Sequence, residues 1–447
     1  RDSPDDRAAF LALLDERGIK RVVAAPGKEY PFVENHLGVD PESSRLFHLH
    51  VHYALVLGQR HVKDYVLPLV EQFLLWTRTL HDVPVPAAAL ELTVLRARAV
   101  LKYRLRDALK DVLSIRTPGV PRHIREEIRW LEEETSADDL MRAEQAVVPT
   151  VPWAVVEQVG PAANGREGWR LLRLRTQLRS HLRPYQSVGR GTATLRYSGA
   201  LARKRLPKSR RRRMTLPGAG VSIAIVGADG SGKSSVVGDL EAWLGWRLTV
   251  RTAYMGTAQP SPQTLVVKWL SKKSRAVSRR IQSGDAAPHR VAAFASRVAG
   301  GLLAARRVSE AHDRKTRSET AQREVAAGAV VVFDRYPLPG VAIHGRTMDG
   351  PRIRAEVGAG GRLIERMARL EEGLLADVVT PDLVVVLHVD PAVSLERSPD
   401  HDPAAIEAKA AAIDAMEDSG VPTADVDANR EFESVRHDVR RIVWSRL

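Results

Sequence analysis

The chain contains no cysteine, which excludes disulfides and thiolate metal sites. No apolar run approaches the roughly 20 residues needed to span a bilayer. The opening residues, Arg1-Asp2-Ser3-Pro4-Asp5-Asp6, are charged and lack the apolar centre of a secretory signal. From these absences we expect a cytoplasmic protein. Acidic residues are scarce where basic ones crowd. Residues 161–215 hold sixteen Lys and Arg against one acid, Glu167, and Arg210 to Arg213 is an unbroken basic run. The net charge of the chain is +14. Such a field attracts polyanions: nucleic acid, an anionic membrane surface or a phosphorylated small molecule. The plainer reading of 161–215 is a solvated basic connector.

At 447 residues the chain is too long for one ordinary core, so two or three domains are expected. Residues 1–135 read as an α+β domain. VVAA at 22–25 and FHLHVHYALVL at 47–57 look like strands, and Leu90 to Leu113 has apolar residues at helical spacing. Residues 136–215 read as a basic helical connector. Within it, WRLLRLRTQLRSHLRPY at 169–185 interleaves Leu and Arg, as in a helix that lies on a membrane or packs its Leu face on a neighbour. Residues 216–447 alternate strand and helix signals, with candidate strands at 221–227, 248–255, 329–334, 382–389 and 421–427. VSIAIVG, AVVVFD and DLVVVLHVD are nearly continuous apolar runs, the pattern of strands buried on both faces. The expected class is α/β, a five-stranded parallel sheet with helices on both faces.

Gly227-Ala228-Asp229-Gly230-Ser231-Gly232-Lys233-Ser234 fits G-x-x-x-x-G-K-[ST], with Ser235 next. Glycines there allow successive backbone N–H groups to turn inward around a phosphate. The helix that follows adds its positive end to the same site. Lys233 is expected at the β- and γ-phosphates and the Ser234 hydroxyl on Mg²⁺, so ATP and Mg²⁺ are the expected cofactors. Phe333-Asp334-Arg335-Tyr336 ends another apolar strand. The acid there can hold Mg²⁺ through water or orient an acceptor, and the Arg can clamp a second phosphate. No N/T-K-x-D guanine-reading motif follows, so a GTPase is not expected.

GADGSGKSS, VVVFDRYPLPGVAIHG and PDLVVVLHVDPAVSLER occur in that order and together resemble the thymidylate kinase family of P-loop kinases. Val426-Asp427-Ala428-Asn429 stands where that family has a loop beside the adenine. The resemblance covers about half the chain and implies a homodimer. It implies that Asp229 faces the acceptor, that Asp334 and Arg335 hold the acceptor phosphate, and that Tyr336 is among the substrate-binding residues. It also implies a second acceptor Arg about twenty residues before Asp334, which is Arg314, with Arg306 and Arg307 as rivals. A lid after Asp390-Pro391 would bring Arg397 or Lys409 to the transition state. Two features depart from the family. Tyr254 to Pro260 lacks the Arg usual after the second strand, and the aromatic stacker for thymine is not apparent. A long insert, 260–300, rich in Lys, Arg, Ser and Ala, follows instead. The acceptor therefore stays open among dTMP, another nucleoside monophosphate, a sugar phosphate and a phosphorylated lipid-linked precursor.

DRAAFLALLDERGIKRV and LFHLHVHYALVLG resemble an uncharacterised nucleotidyltransferase-like family. The metal-binding D-x-D pair that the resemblance implies would precede residue 1. His48, His50 and His52 alternate on one strand, as metal ligands or as a polar face. Three functions remain open. The first is a small-molecule kinase. The second is an ATP-binding regulatory or scaffold protein with degenerate domains. The third is a bifunctional nucleotidyltransferase-kinase of surface-polysaccharide assembly.

Overall fold

Runs such as SIAIVG and LVVVLH are too short for a buried helix and too continuous for a half-exposed strand, so they are suited to the middle of a covered sheet. A computed structural model describes residues 4–25, 28–30, 32–58, 62–112, 120–148, 150–164, 167–204, 213–283, 288–337, 342–343, 346–347, 350–358, 361–397, 399–400, 402–415 and 420–447. The chain divides into two units.

The first unit comprises Arg1–Arg17, Ala24–His36 and Leu49–Arg212. It contains a hairpin of β1 (Leu55–Leu57) and β2 (Tyr65–Leu67). Helices α1 (Ala88–Lys102), α2 (Leu105–Val112), α3 (Arg122–Glu133), α4 (Ala137–Val147) and α5 (Gly168–His181) follow. The helical spacing from Leu90 onward is interrupted at Tyr103, whose ψ of 142° is extended; Leu113 lies outside the described residues. The basic segment expected as a connector is core-forming. Its Val147, Val159, Leu171, Leu174 and Leu178 join one apolar cluster with Leu57, Leu67, Leu90 and Leu101. A Leu stripe between arginines is apolar enough to be core, and local periodicity does not reveal which neighbour covers it. Residues 205–212, with most of the run Arg210 to Arg213, lie outside the described residues.

The second unit comprises Gly18–Val23, Leu37–His48 and Arg213–Leu447. The sequence reading leaves the first two segments in the N-terminal domain, but Val22 and Leu37 are buried in the core of this unit. Val23 and Thr215 exchange backbone hydrogen bonds of 2.8 and 3.0 Å. Trp243 Nε1 donates to Ser44 O at 2.9 Å, and Trp444 Nε1 donates to Gly18 O at 2.9 Å. These bonds satisfy the polar ends of two indoles whose rings sit in the core.

The elements of this unit begin with β3 (Ser222–Gly227), α6 (Lys233–Leu244), β4 (Val250–Tyr254), α7 (Pro262–Gln282), α8 (His289–Ala326) and β5 (Val330–Asp334). They continue with α9 (Gly361–Ala376), β6 (Leu383–His388), α10 (Pro391–Arg397), α11 (Pro403–Asp414), β7 (Thr423–Asp427) and α12 (Phe432–Arg446). The strand order is β7-β6-β3-β5-β4, and every pairing is parallel. All six residues of β3 are buried, so both faces of the sheet are covered. Register places Asp334 opposite Ile225, so the loop after β3 and the Asp334-Arg335 pair after β5 leave the sheet at the same edge. That carboxyl edge is where ligands bind in open parallel sheets. The Asp382 carboxylate accepts hydrogen bonds from Ser222 N (2.8 Å) and Ser222 Oγ (2.7 Å), tying the start of β6 to the start of β3. Among the described residues, no helix is long and apolar enough to cross a membrane.

Candidate functional site

The turn between β3 and α6 needs glycine at two positions. Gly230 and Gly232 have φ of +82° and +84°, which side chains with a Cβ rarely adopt. A Cβ at Gly230 would also lie 2.6 Å from Ser394 Oγ and 2.7 Å from Ser394 O, so α10 closes tightly on the loop. The Ser394 hydroxyl is buried and donates to Asp229 O. Ser394 is a loop-bracing residue that its sequence context, PAVSLER, does not single out.

Lys233 opens α6 and folds back onto the loop, donating to Gly227 O at 2.9 Å and Ala228 O at 2.5 Å. Burial pushes its ammonium down to about 8. The carboxylates of Asp229 and Asp334 oppose that shift, and the cations Arg335 and Lys409 reinforce it. Asp229 forms an ion pair with Lys409. Burial pushes the Asp229 carboxyl up, but the Lys409 hydrogen bond and the charges of Lys409, Lys233 and Arg335 outweigh it and hold it below the usual range. Asp229, Asp334, Arg335 and Lys409, from three parts of the chain, thus all act on Lys233. Ser234 and Ser235 are exposed on the first turn of α6, and Ala228 and Ser231 are buried. Ser231 Oγ is buried without a hydrogen-bond partner among the described residues.

Asp334 ends β5 half-buried, and its Oδ1 is buried with no hydrogen-bond partner among the described residues. Such an atom calls for a cation, a donor or a bridging water. With the exposed Ser234 hydroxyl, it fits a hard divalent ion carried in with phosphates. Arg335 is exposed and has φ +59°, an uncommon conformation for a residue with a Cβ. Holding it costs roughly 1–3 kcal/mol. Tyr336 turns the other way. Its ring lies 5.6 Å from that of Phe333, its hydroxyl donates to Val379 O at 3.2 Å, and burial pushes it up to about 12. The structure places Tyr336 in the core, where a large ring at the end of an apolar strand is most stable.

Arg314 is buried on α8 and lines a small cavity with Thr257, Arg352 and Glu371. Its rivals are committed elsewhere. Arg306 donates to Glu310 at 2.8 Å, and Arg307 donates to Glu310 at 2.7 Å and grips Glu356 through two bonds of 2.8 and 2.7 Å. Arg317, one turn beyond Arg314, escaped the sequence reading. It donates to Tyr254 O at 2.7 Å and Gly256 O at 3.1 Å, and also to Gln259 O. The loop that lacks an Arg of its own is therefore held by one from α8. Arg397 donates to Ala428 O at 2.8 Å, with longer bonds to the carbonyls of Asn429 and Arg430. It fastens the loop after β7, where Ala428 is buried, and Lys409 is the cation that reaches the glycine loop. Arg397 is the last residue of α10, and its guanidinium is committed to the loop carbonyls of 428–430.

In the first unit, His50 Nδ1 and His52 Nε2 lie 3.3 Å apart. Among the described residues, no group of three or more His, Asp or Glu side chains is placed to hold a metal ion.

A left-handed glycine loop between a central parallel strand and a helix, with a lysine folded over it and an Asp-Arg pair on the adjacent strand, forms one arrangement. This is the architecture of a P-loop NTPase domain. No protein-family model matches the chain. The uncharacterized ATP-binding protein YghR of Escherichia coli K12 is 28% identical over 229 residues, which are 49% of this chain and 86% of that protein. The uncharacterized ATP-binding protein YghS of the same strain is 25% identical over 231 residues, 50% of this chain and 93% of that protein. A deoxyadenosine kinase from M. mycoides with bound dATP aligns with 50% of this chain and 98% of its own, at 12% identity and a TM-score of 0.29. A superposition that loose adds nothing to the fold assignment, which rests on strand order and loop geometry.

Proposed function

We propose that the second unit is an ATP- and Mg²⁺-dependent phosphotransferase, thymidylate kinase-like in design, acting on a small phosphorylated acceptor. The observation that carries this reading is geometric: Lys233 folds over the glycine loop, Lys409 pairs with Asp229 within it, and Asp334, with a buried Oδ1 that has no hydrogen-bond partner among the described residues, ends the adjacent strand. Two relatives named as ATP-binding proteins support the choice of nucleotide.

The chemistry asks for positioning and charge more than for covalent participation. An acceptor oxygen attacks the γ-phosphorus in line, the bond to the β–γ bridging oxygen breaks, and ADP leaves. The backbone N–H groups of 228–234 bind the departing diphosphate. Lys233 exchanges the carbonyls of Gly227 and Ala228 for phosphate oxygens. Arg335, already in its uncommon backbone conformation, presents the acceptor phosphate. Lys409 balances Asp229 on the acceptor side and stabilises the negative charge carried by the transferred group. Ser234 and Asp334 would hold Mg²⁺, whose contribution is to neutralise phosphate charge.

The test is ADP release from the full chain, screened across deoxynucleoside monophosphates and sugar phosphates. Acceptor-stimulated release that falls at least a hundredfold in Lys233→Ala is expected. Unchanged turnover in that variant would overturn the reading. Tight ATP binding with no stimulation by any acceptor would favour a nucleotide-binding regulatory protein instead.

A further inference from the structure

Helix α7 is amphipathic in an inverted sense. The side chains it buries are small and hydroxylated: Thr264, Ser271 and Ser278, spaced by seven residues. The side chains it leaves outside are large and apolar. Leu265, Val266, Trp269 and Val277 are each more than half exposed. The first turns of α8 repeat the pattern, with Val291, Phe294 and Val298 on one stripe and Phe294 68% exposed. The two helices form a hairpin, joined by a bond of 2.7 Å from Gln282 Nε2 to Ser296 Oγ. An apolar surface of this kind is a binding surface or a liability.

Charge decides what covers it. Residues 261–300 hold eight Lys and Arg against one acid, Asp285. A twofold contact with a second copy would set the same basic patch against itself, which costs energy for each facing pair. Nucleic acid would use the cations but has no use for a Leu, Val and Trp stripe of this size. An anionic bilayer satisfies both: apolar side chains enter the acyl boundary, Trp suits the interface, and Lys and Arg stay at the phosphates. Between the two helices lies a cavity of about 480 Å³, lined by Arg275, Arg279 and Arg297, by Ser278 and Ser296, and by one acid, Glu356, whose carboxylate is held by Arg307. Three guanidiniums and two hydroxyls around one space suit a phosphate-bearing headgroup.

We propose that the α7–α8 hairpin docks on an anionic lipid surface, with Trp269 and Phe294 as its apolar anchors and the flanking Lys and Arg as its phosphate contacts. The inference stands on exposure and charge and does not depend on the phosphotransfer reading. The test is flotation of the full chain with phosphatidylcholine vesicles, with and without one third phosphatidylglycerol, at about 0.1 M salt. Binding to the anionic vesicles alone is expected, weakening as salt rises. Lys272→Ala with Lys273→Ala is expected to cut partitioning about thirtyfold, from about 1 kcal/mol per surface cation. Trp269→Glu with Phe294→Glu should cut it at least tenfold while the thermal midpoint holds. Absence of binding to anionic vesicles overturns the proposal, as does equal binding to neutral ones. Binding indifferent to the lysine pair also overturns it, and that pair keeps the test valid should the glutamate variant misfold. A concentration-dependent dimer that Trp269→Glu abolishes, without vesicle binding, assigns the surface to a second copy instead.

Discussion

Helix α5 carries Leu171, Leu174 and Leu178 among Arg170, Arg173, Arg175 and Arg179; helix α7 carries Leu265, Val266 and Trp269 among Lys268, Lys272 and Lys273. As strings they have the same ingredients, and either would pass for a membrane-surface helix. In α5 the three leucines are buried at 2, 2 and 0% exposure; in α7 the corresponding side chains stand at 53, 59 and 58%. The difference lies in the neighbours. The Leu face of α5 belongs to one buried cluster with residues of α1 and the hairpin strands, whereas the side chains that α7 buries are Thr264, Ser271 and Ser278. A hydrophobic stripe establishes that a helix has a face to cover; whether another part of the chain covers it is a separate question.

The comparison breaks most readily at Leu178. Leu178→Asp should unfold the first unit or destabilise it by about 4 kcal/mol or more, since an unpaired carboxylate would replace a fully buried side chain. Leu178→Ala should cost about 2–5 kcal/mol. Urea unfolding followed by far-UV circular dichroism measures both. A loss under about 1 kcal/mol would mean that the face of α5 is not core.

A closely covered backbone sharpens the same point. Gly230→Ala places a Cβ against Ser394 at positive φ, and a loss of about 2 kcal/mol or more is expected, together with weaker nucleotide binding. Calorimetric titration with ATP and a denaturant series would read the two effects separately. Tight binding and full stability would show that α10 does not press on the loop.

Lys233 extends the contrast to a single cation taken out of solvent. Its folded value near 8 lies below the usual 10.5, so above pH 8 the unfolded chain holds a proton that the folded chain has lost. Stability of the second unit should therefore rise between pH 8 and 10.5, and that increment should be absent in Lys233→Met. A pH series of denaturation midpoints for the two proteins is the check, and a flat difference between them would contradict it.

The smallest effect belongs to the exposed helix. Trp269→Ala should change stability by no more than about 0.5 kcal/mol, because the side chain is 58% exposed and its ring contact is with the neighbouring Lys273 ammonium at 5.9 Å. A loss comparable to that at Leu178 would erase the distinction between the two helices.

Much of the second unit was legible beforehand because its signals are local. The five expected strands enclose the five observed, and the glycine spacing from Gly227 to Gly232 specifies a turn that needs no distant partner to be recognised. The cations were harder to read. Arg397 and Lys409 are equivalent on paper as lid donors, yet one is bound to the carbonyls of 428–430 and the other to Asp229. Tyr336 sits beside Arg335 in sequence, but the left-handed turn at Arg335 sends it into the core. Arg317 and Ser394 act on backbone carbonyls far away in the chain, and no local motif marks a side chain whose partner is a distant backbone atom.

The amino-acid sequence by itself determined the order of strands and helices in residues 216–447, the glycine loop and its lysine, and the placement of an Asp-Arg pair at the end of a buried strand. These follow from side-chain periodicity and backbone freedom, which act over a few residues. The tertiary structure alone decided that Gly18–Val23 and Leu37–His48 belong with that unit, that α5 is core while α7 is surface, and that Lys409 is the cation on the glycine loop. Burial and charge pairing depend on what lies across space, and neighbours in space are not set by neighbours in the chain.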